Sequence, residues 1–271
     1  MEWPKLKNII LIILALTNLV LLVFMVQREL RTSRQERETL EEAILFLEER
    51  GVAVDEAQVP QRMELTPQTA ERDLEGESRL AADLLGQDIL AEDRGAGVYR
   101  YANDRGSIQF HSDGSFSAEF AQGAFPLEGD RAEGCREVLA LLDFQGELLS
   151  ESGDTLVFRQ SWQGYPLFLQ QVTLEVSEGC LTAMTSGRRL VGEPQQDPTR
   201  RTVTVPTALI NFFNGLNALG DVCSRIDAIT PGYLAAASLS GPMTLTPVWR
   251  ITTDTGAYQL DVVDGGLSRL T

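Results

Sequence analysis

The stretch TLEVSEGCL, residues 173–181, decides the fold class because it looks like a strand that runs into a tight turn. The stretch QLDVVDGGL, residues 259–267, repeats its order of an apolar residue, an acidic residue, Val, any residue, an acidic residue, Gly, any residue and Leu. Apolar side chains also alternate around Asp113-Gly114 in SIQFHSDGSFSAEF, residues 107–120. Since glycine tolerates positive φ, each acidic-Gly pair predicts a β-hairpin, with the same turn used three times.

Helical spacing precedes these hairpins at least twice. One helix is indicated after the acidic cap pair Asp130 and Glu133, and another is indicated after Thr207. Their apolar positions are Cys135, Val138, Leu139 and Leu142 in the first, and Leu209, Phe212, Phe213, Leu216 and Leu219 in the second. Because hairpin-length turns cannot make parallel crossovers, we expect an α+β fold built from repeated modules of a helix and an antiparallel sheet.

Changes in composition divide the chain into six segments. They are a cytoplasmic head at residues 1–8, a transmembrane anchor at 9–26, a stalk helix at 27–60 and three α+β modules at 61–128, 129–198 and 199–271. The polar residues 55–79 are typical of a linker, and a short helix is expected from about Pro67 to Leu85.

The stalk is predicted to be helical because four apolar residues share one helical face, namely Leu40, Ala43, Ile44 and Leu47. Gly51 fits the end of this helix, and a capping box is expected at Thr39 with Glu42 or at Ser33 with Glu36. Two interpretations stay open. The helix either continues from the membrane as a stalk or forms the first element of the folded domain.

The predicted anchor is apolar from Ile9 to Val26 except at Thr17 and Asn18. At 1.5 Å per residue it spans roughly 27 Å, which is just enough to cross the hydrocarbon core of a bilayer. Small residues of a cleavage site are missing after it, so we expect a retained signal anchor. The flanking charges do not decide the orientation, but a short head and a long following domain predict an extracytoplasmic bulk in a single-pass protein of the cell membrane.

Thr17 and Asn18 are the candidate partner-binding residues. Near the bilayer midplane the Asn18 amide has no hydrogen-bond partner unless another helix or a nearby carbonyl supplies one. Such contacts between membrane helices contribute only about 0.6–2 kcal/mol, so Asn18 is expected to select the register of a helix pair more than its affinity. The alternative is a lone anchor in which the amide bonds to its own helix backbone.

The formal net charge is −16, from 39 acidic and 23 basic residues, and this argues against nucleic-acid binding. Phosphate neutralisation needs a clustered Lys and Arg surface, which an acidic chain does not favour. Cys135, Cys180 and Cys223 are too far apart in sequence to suggest a metal knuckle or a redox pair, so we expect buried free thiols. No metal and no cofactor is predicted.

Catalytic motifs are not recognisable in the sequence, and no catalytic residue is predicted. His111 has no nearby nucleophile, so a surface or edge-strand position is expected. The pairs Asp261 with Asp264 and Glu175 with Glu178 recur beside turns, which favours turn formation over a glycosidase-like carboxylate pair. Aromatic side chains that are expected in cores rather than on a sugar-stacking surface are Trp162, Tyr165, Phe168, Trp249 and Tyr258.

Two parts of the chain carry a family resemblance. The opening MEWPKLKNIILIILALTNLVLLV resembles the start of the YycI family, with an acidic residue, a Trp, a few lysines and an anchor that has a polar residue among leucines. The passages VFRQSWQGYPLFLQQVTLEVSEGCL and TPVWRITTDTGAYQLDVVDGGL resemble the strand pattern of YycI, YycH and PepSY-like modules. The resemblance does not extend to residues 28–97.

The resemblance implies a single-pass accessory protein beside the sensor histidine kinase of the essential cell-wall two-component system of Gram-positive bacteria. A YycH-like sister protein and the lipid bilayer would be its other partners. Thr17 and Asn18 match the polar position of the family's anchor, and regulation would pass partly through transmembrane contacts. We therefore predict a protein that is not an enzyme and that acts by protein contact. The alternatives are a cell-envelope enzyme and a division-type bitopic scaffold.

Overall fold

The computed structural model describes residues 3–238 and 241–270, with the backbone alone for residues 3–12, 23–24 and 26–34. Within these residues the α-helices are α1 (Trp3–Glu48), α2 (Leu74–Leu85), α3 (Arg131–Ala140) and α4 (Val205–Leu219). A short 3₁₀ helix covers Glu56–Gln58.

Strands make up most of the remaining regular structure, and the predicted α+β class is confirmed. The strands are β1 (Ala53–Val54), β2 (Gln68–Ala70), β3 (Leu90–Gly95), β4 (Val98–Asn103), β5 (Gly106–His111), β6 (Ser115–Phe120), β7 (Gly146–Ser152), β8 (Thr155–Trp162), β9 (Tyr165–Ser177), β10 (Cys180–Arg188), β11 (Gln195–Gln196), β12 (Arg225–Ala236), β13 (Met243–Thr253), β14 (Ala257–Asp261) and β15 (Leu267–Leu270).

The elements follow one order three times, since α2, α3 and α4 each precede four antiparallel strands. These runs are α2 with β3–β6, α3 with β7–β10 and α4 with β12–β15. Antiparallel pairing of β6 with β10 joins the first two runs into one eight-stranded sheet in the order β3-β4-β5-β6-β10-β9-β8-β7. The sequence boundaries of the three modules stay a prediction.

The third run forms a second sheet that is connected to the first. The outer edge of β13 pairs with β14 and, further along, with β2, so a segment far upstream in sequence extends this sheet. On the other side, β12 makes short parallel pairings with β1 and with β9, where Tyr233 lies opposite Leu167. These parallel contacts were not expected from the hairpin pattern.

The first core lies between the eight-stranded sheet and the helices α2 and α3. Leu80, Leu84 and Leu85 face it from α2, and Cys135 and Leu139 face it from α3. Helical spacing of apolar residues produces these buried faces, as predicted for α3. All three cysteines are free, but only the first is buried and the other two are partly exposed.

Side-chain caps fix where α2 and α3 begin. Asp130 accepts a hydrogen bond from the backbone N–H of Glu133 at 2.9 Å, which confirms the predicted cap pair. Asp73 accepts one from the N–H of Gly76 at 2.8 Å in the same way. An N-terminal carboxylate both satisfies a free N–H group and interacts favourably with the helix dipole.

The C-terminal part of α1 packs into the second core. Leu40, Ala43 and Leu47 are buried there together with residues of α4, and the rings of Phe46 and Phe213 meet edge to face with centroids 5.8 Å apart. The predicted apolar face is therefore confirmed. Because α1 is continuous from Trp3 to Glu48, the two open interpretations combine: one helix is both the continuation of the N-terminal segment and the first element of the folded core.

The predicted end of α1 is confirmed, but its predicted start is wrong. Gly51 follows the helix with φ +84°, and the N–H of Val52 donates to the carbonyl of Leu47 at 3.0 Å. Thr39 lies inside the helix, where its hydroxyl bonds back to the carbonyls of Gln35 and Glu36 instead of forming a capping box. The backbone of Ser33 lies inside α1 as well, so neither predicted capping box marks a helix start.

Two further helix starts differ from the sequence expectation. Residues Gln68–Ala70 form β2 instead of helix, because they pair with the free edge of β13, so α2 begins only at Leu74. The last helix begins at Val205 after Thr204 rather than after Thr207, with Pro206 in its first turn. Proline fits the first turn of a helix because its missing N–H would have no partner there.

The three acidic-Gly pairs lie in hairpin connections as predicted, but they do not form the same turn. The connections have two residues (Glu178 and Gly179), three residues (112–114) and five residues (262–266). In all three the glycine has positive φ, between 75° and 81°. The shared sequence therefore reflects a shared backbone requirement at one position rather than a common turn type.

Over the residues that the structure describes, no helix meets the length and apolarity that a membrane span requires. The predicted head at residues 1–8 and part of the predicted anchor at 9–26 lie outside the residues whose side chains are described. The anchor stays a prediction.

Leu47→Ala tests the docking of α1 against α4. Leu47 has no exposed surface, so its truncation leaves a cavity and is expected to lower the free energy of unfolding by about 2–5 kcal/mol. Leu45→Ala is the matched control, because Leu45 is 55% exposed on the same helix, and a change within about 0.5 kcal/mol is expected. Urea unfolding of the full chain in detergent measures both values. Equal, small effects would contradict the docked helix.

Candidate functional site

The N-terminal part of α1 carries an unusually large exposed apolar surface. Its apolar side chains retain 46–72% of their accessible surface at Ile13, Leu14, Leu16, Leu19, Val20, Leu21, Leu22 and Met25. At 100° per residue these positions point to every side of the helix instead of forming one stripe. A helix that is apolar all round requires an apolar environment on all sides. No described part of the chain covers these side chains.

Thr17 and Asn18 lie in the middle of this surface, and both are exposed. The Thr17 hydroxyl donates to the carbonyl of Ile13 at 2.8 Å, so it is satisfied within its own helix. Asn18 is one position further round the helix, and its amide faces the same surroundings as the neighbouring leucines. Contact of these two residues with a partner stays a prediction.

A second candidate site is a cleft of about 810 Å³ in the folded part. Its walls are the N-terminal turns of α2, the residues after α3, the end of β8 and the connector at residues 189–193, which follows β10. Binding clefts for small molecules usually have volumes of 300–1,000 Å³.

Gln160 holds the floor of this cleft in place. It is buried on β8, its Oε1 accepts the backbone N–H of Leu190 at 3.0 Å, and its Nε2 donates to the carbonyl of Asp143 at 3.2 Å. A single carboxamide therefore joins the connector to the chain that follows α3. Because both contacts are buried or partly buried, losing either would leave a polar backbone group without a partner.

Trp162 lines the cleft next to Gln160 and is fixed by a chain of side-chain hydrogen bonds. Its indole N–H donates to Oε1 of Gln68 at 3.0 Å, and Nε2 of Gln68 donates to the hydroxyl of Tyr233 at 3.2 Å. Since Gln68 lies on β2 and Tyr233 on β12, these bonds tie one cleft wall to the second sheet.

Arg189 is the least expected side chain of the cleft, because it is only 7% exposed yet has no hydrogen-bond or ion-pair partner for its guanidinium among the described residues. Its guanidinium lies over the ring of Phe110, whose centroid is 5.3 Å from Cζ. Burial lowers the pKa of Arg189, and the nearby carboxylates of Glu77 and Asp143 oppose that shift. An arginine with these neighbours keeps its charge at neutral pH.

Glu77 does not neutralise Arg189, because another arginine binds it. Arg72 donates from Nε and Nη2 to the two carboxylate oxygens of Glu77 at 2.9 and 2.8 Å, and from Nη1 to the carbonyl of Gly97 at 2.6 Å. This bidentate pair is nearly sealed from solvent. Charge-assisted, two-bond pairs of this kind are the strong ones in proteins. The cleft floor is left with one unpaired cation.

The remaining sequence candidates do not gather into a catalytic site. His111 is half-buried on β5, with Nε2 at 2.8 Å from Nε2 of Gln109. Asp261 accepts backbone N–H groups of Val263 and Asp264 at 2.7 and 3.1 Å, which is the turn-forming role predicted for it. In the described part of the chain, no cluster of three or more His, Cys, Asp or Glu side chains is arranged to hold a metal ion.

The five aromatic side chains that were expected in cores all lie in or against one, and Trp162 also lines the cleft. Phe168, Trp249 and Tyr258 are buried, as expected for core residues, while Trp162 and Tyr165 are half-buried. The sequence does not mark Arg189 or Gln160 as site residues. A single Arg or Gln at the end of a strand carries no local signal that it is buried, because that burial comes from elements far away in sequence.

No family model matches the chain, and no curated protein matches it. Solved structures that are similar include an uncharacterized protein from Eubacterium rectale ATCC 33656, at 12% identity and a TM-score of 0.42, covering 81% of this chain and 90% of that one. Another is the Bacillus megaterium YpeB C-terminal domain, at 10% identity and a TM-score of 0.34, covering 74% of this chain and 99% of that one. The YycI resemblance stays a prediction.

Gln160→Ala tests the buried contact that holds the cleft floor. The variant leaves the N–H of Leu190 without an acceptor, so the free energy of unfolding is expected to fall by about 1–3 kcal/mol. Amide hydrogen exchange at Leu190 is expected to become faster at the same time. Gln145→Ala is the control, because its exposed side chain also lines the cleft. If both variants keep slow exchange at Leu190, Gln160 does not hold the connector.

Proposed function

We propose that this protein is a membrane-anchored accessory protein that regulates a membrane partner by contact and has no catalytic activity of its own. Its α+β bulk lies outside the cytoplasm, and its N-terminal helix lies in the bilayer. The observation that carries the proposal is the single continuous helix α1, which is apolar and exposed on all sides at one end and buried in the core at the other.

The exposed end of α1 supports the membrane part of the proposal. Full burial of one large aliphatic side chain is worth roughly 1.5–3 kcal/mol, so the eight exposed side chains together represent on the order of 10 kcal/mol. A bilayer supplies that burial on every side of the helix at once, whereas a docked protein partner would cover only part of the circumference.

The docked end of α1 supports regulation by contact. Leu47 is buried against the core that includes α4, and the guanidinium of Arg50 stacks over the ring of Phe46 at 3.5 Å. The helix is unbroken between this contact and Asn18, over a rise of roughly 43 Å at 1.5 Å per residue. A change of tilt or rotation imposed on the apolar end would therefore reach the core.

The partners are proposed from the family resemblance. They are a membrane sensor histidine kinase of a cell-wall two-component system and a YycH-like sister protein, with Thr17 and Asn18 facing a partner helix. The three runs of one helix and four strands support PepSY-like modules as the extracytoplasmic part. An enzyme of the cell envelope has less support, because Asp73 is committed to capping α2 and Glu77 to Arg72.

Membrane retention is the first test. The full chain is expected to stay with the membrane fraction after an alkaline carbonate wash, and its N-terminal sequence is expected to include residues 9–26. Protease added outside intact cells is expected to digest the α+β part. A mature chain that begins near Val26 and is found in the medium would overturn the proposal.

Asn18→Leu tests the contact in the membrane. Loss of one interhelical hydrogen bond, worth about 0.6–2 kcal/mol, predicts a roughly 3- to 30-fold weaker association with the kinase, measured by quantitative co-purification from membranes. The control Val20→Leu changes an apolar residue about 200° further round the helix and is expected to have no effect. Unfolding of both variants should match the unsubstituted chain. Unchanged co-purification of Asn18→Leu would exclude Asn18 as a partner contact.

A further inference from the structure

The cleft around Arg189 contains a buried cation without an acceptor. A charged group removed from water costs several kcal/mol unless a partner of opposite charge or hydrogen bonds compensate it. The described residues offer the Arg189 guanidinium only the ring of Phe110, and its Nε is both sealed from solvent and without a hydrogen-bond partner. Only Nε is sealed in this way, so an anionic group from outside the chain would supply acceptors to the two Nη groups of Arg189.

The acidic residues of the cleft are committed elsewhere or lie at its rim. Glu77 is held by Nε and Nη2 of Arg72, and Asp73 accepts the N–H of Gly76 and pairs with Arg79 at 3.4 Å. Asp143 acts on Arg189 only through its charge, without a hydrogen bond. The protein therefore places a cationic guanidinium in the cleft and does not pair it with one of its own carboxylates.

Charge around the cleft restricts the kind of anion that fits. The described lining contains five carboxylates and two guanidiniums, the latter belonging to Arg79 and Arg189. A free dianion such as phosphate would be repelled by this excess of negative charge. A ligand that carries one carboxylate together with a positive group matches both features, because its ammonium group can approach the acidic rim.

The shape and the remaining groups of the cleft fit a short peptide. A volume of about 810 Å³ is near the upper end for small-molecule sites. The exposed carboxamides of Gln145 and Gln163 can donate to and accept from peptide groups, and Trp162 offers an aromatic surface for a side chain.

We propose that this cleft binds a short zwitterionic peptide, with the peptide's C-terminal carboxylate on the guanidinium of Arg189 and its ammonium group near Asp143. The bidentate fork of a guanidinium matches a carboxylate in geometry and in charge. This site goes beyond the proposed function and does not depend on it, because every residue that it uses lies after residue 72.

Calorimetry with the full chain in detergent tests the proposal with three probes. Tetraalanine is the zwitterion, tetraalanine amide lacks the carboxylate, and N-acetyl-tetraalanine lacks the ammonium group. Tetraalanine is expected to bind, the amide at least about tenfold more weakly and the acetylated peptide about threefold or more weakly. Inorganic phosphate is expected not to compete.

Three results would each overturn the proposal. They are no binding of tetraalanine up to about 10 mM, equal binding of tetraalanine and tetraalanine amide, and competition by phosphate.

Matched variants assign the effect to residues. Arg189→Met keeps a side chain of similar length against Phe110 and is expected to weaken tetraalanine binding at least about tenfold. Arg79→Met is the control at the exposed rim and should weaken binding less than about threefold.

Asp143→Asn tests the contact with the ammonium group. Asparagine suits the positive φ of 52° at this position, and the variant should weaken binding of tetraalanine but not of N-acetyl-tetraalanine. Circular dichroism checks folding. If Arg189→Met does not fold, Asp143→Asn and the amide probe decide, and an unchanged affinity in both would overturn the proposal.

Discussion

The packing of α1 against α4 is the contact on which the rest of the structure depends. Leu40, Ala43 and Leu47 bury one face of α1 in the core that also contains α4 and the strands β12 to β14. The helix ends immediately after this contact, at Glu48, and the chain then turns at Gly51 and pairs with β12 through β1. A helix held on two sides in this way cannot turn independently of the second sheet. The direction of its apolar end is therefore set by the folded core.

Strand pairing accounts for the position of the cleft. The last strands of the first two runs, β6 and β10, lie side by side, so α2 and α3 come to lie on the same face of one eight-stranded sheet. The connector after β10 must then pass near the N-terminal end of α2 on its way to the second sheet, where β11 pairs with β2. This path gives the backbone of residues 189–193 its place in the cleft wall, and the buried Gln160 side chain fixes it there.

Sequence patterns predicted the features that depend on local chemistry. The cap at Asp130, the helix end at Gly51, the apolar face of α1 and the acidic-Gly hairpins all follow from groups a few residues apart. Features that depend on distant contacts could not be predicted. Strand β2 exists because β13 has a free edge, and Arg189 lies in a cleft whose lining residues come from segments far apart in sequence. The capping box was wrong because Thr39 fits equally well inside a helix that continues.

A contiguous series of contacts connects the cleft with α1. Trp162 in the cleft wall bonds to Gln68, Gln68 bonds to Tyr233 on β12, and β12 pairs with β1, which directly follows α1. Contiguity alone does not make two sites act on each other. Coupling requires two conformations of these contacts that a ligand in the cleft binds with different affinities. The coupling free energy cannot exceed the difference between the two binding free energies. The series passes through the junction between the two sheets, where Leu167 of β9 pairs with Tyr233 of β12 and the buried Gln170 side chain donates to the carbonyl of Ala235 at 3.3 Å.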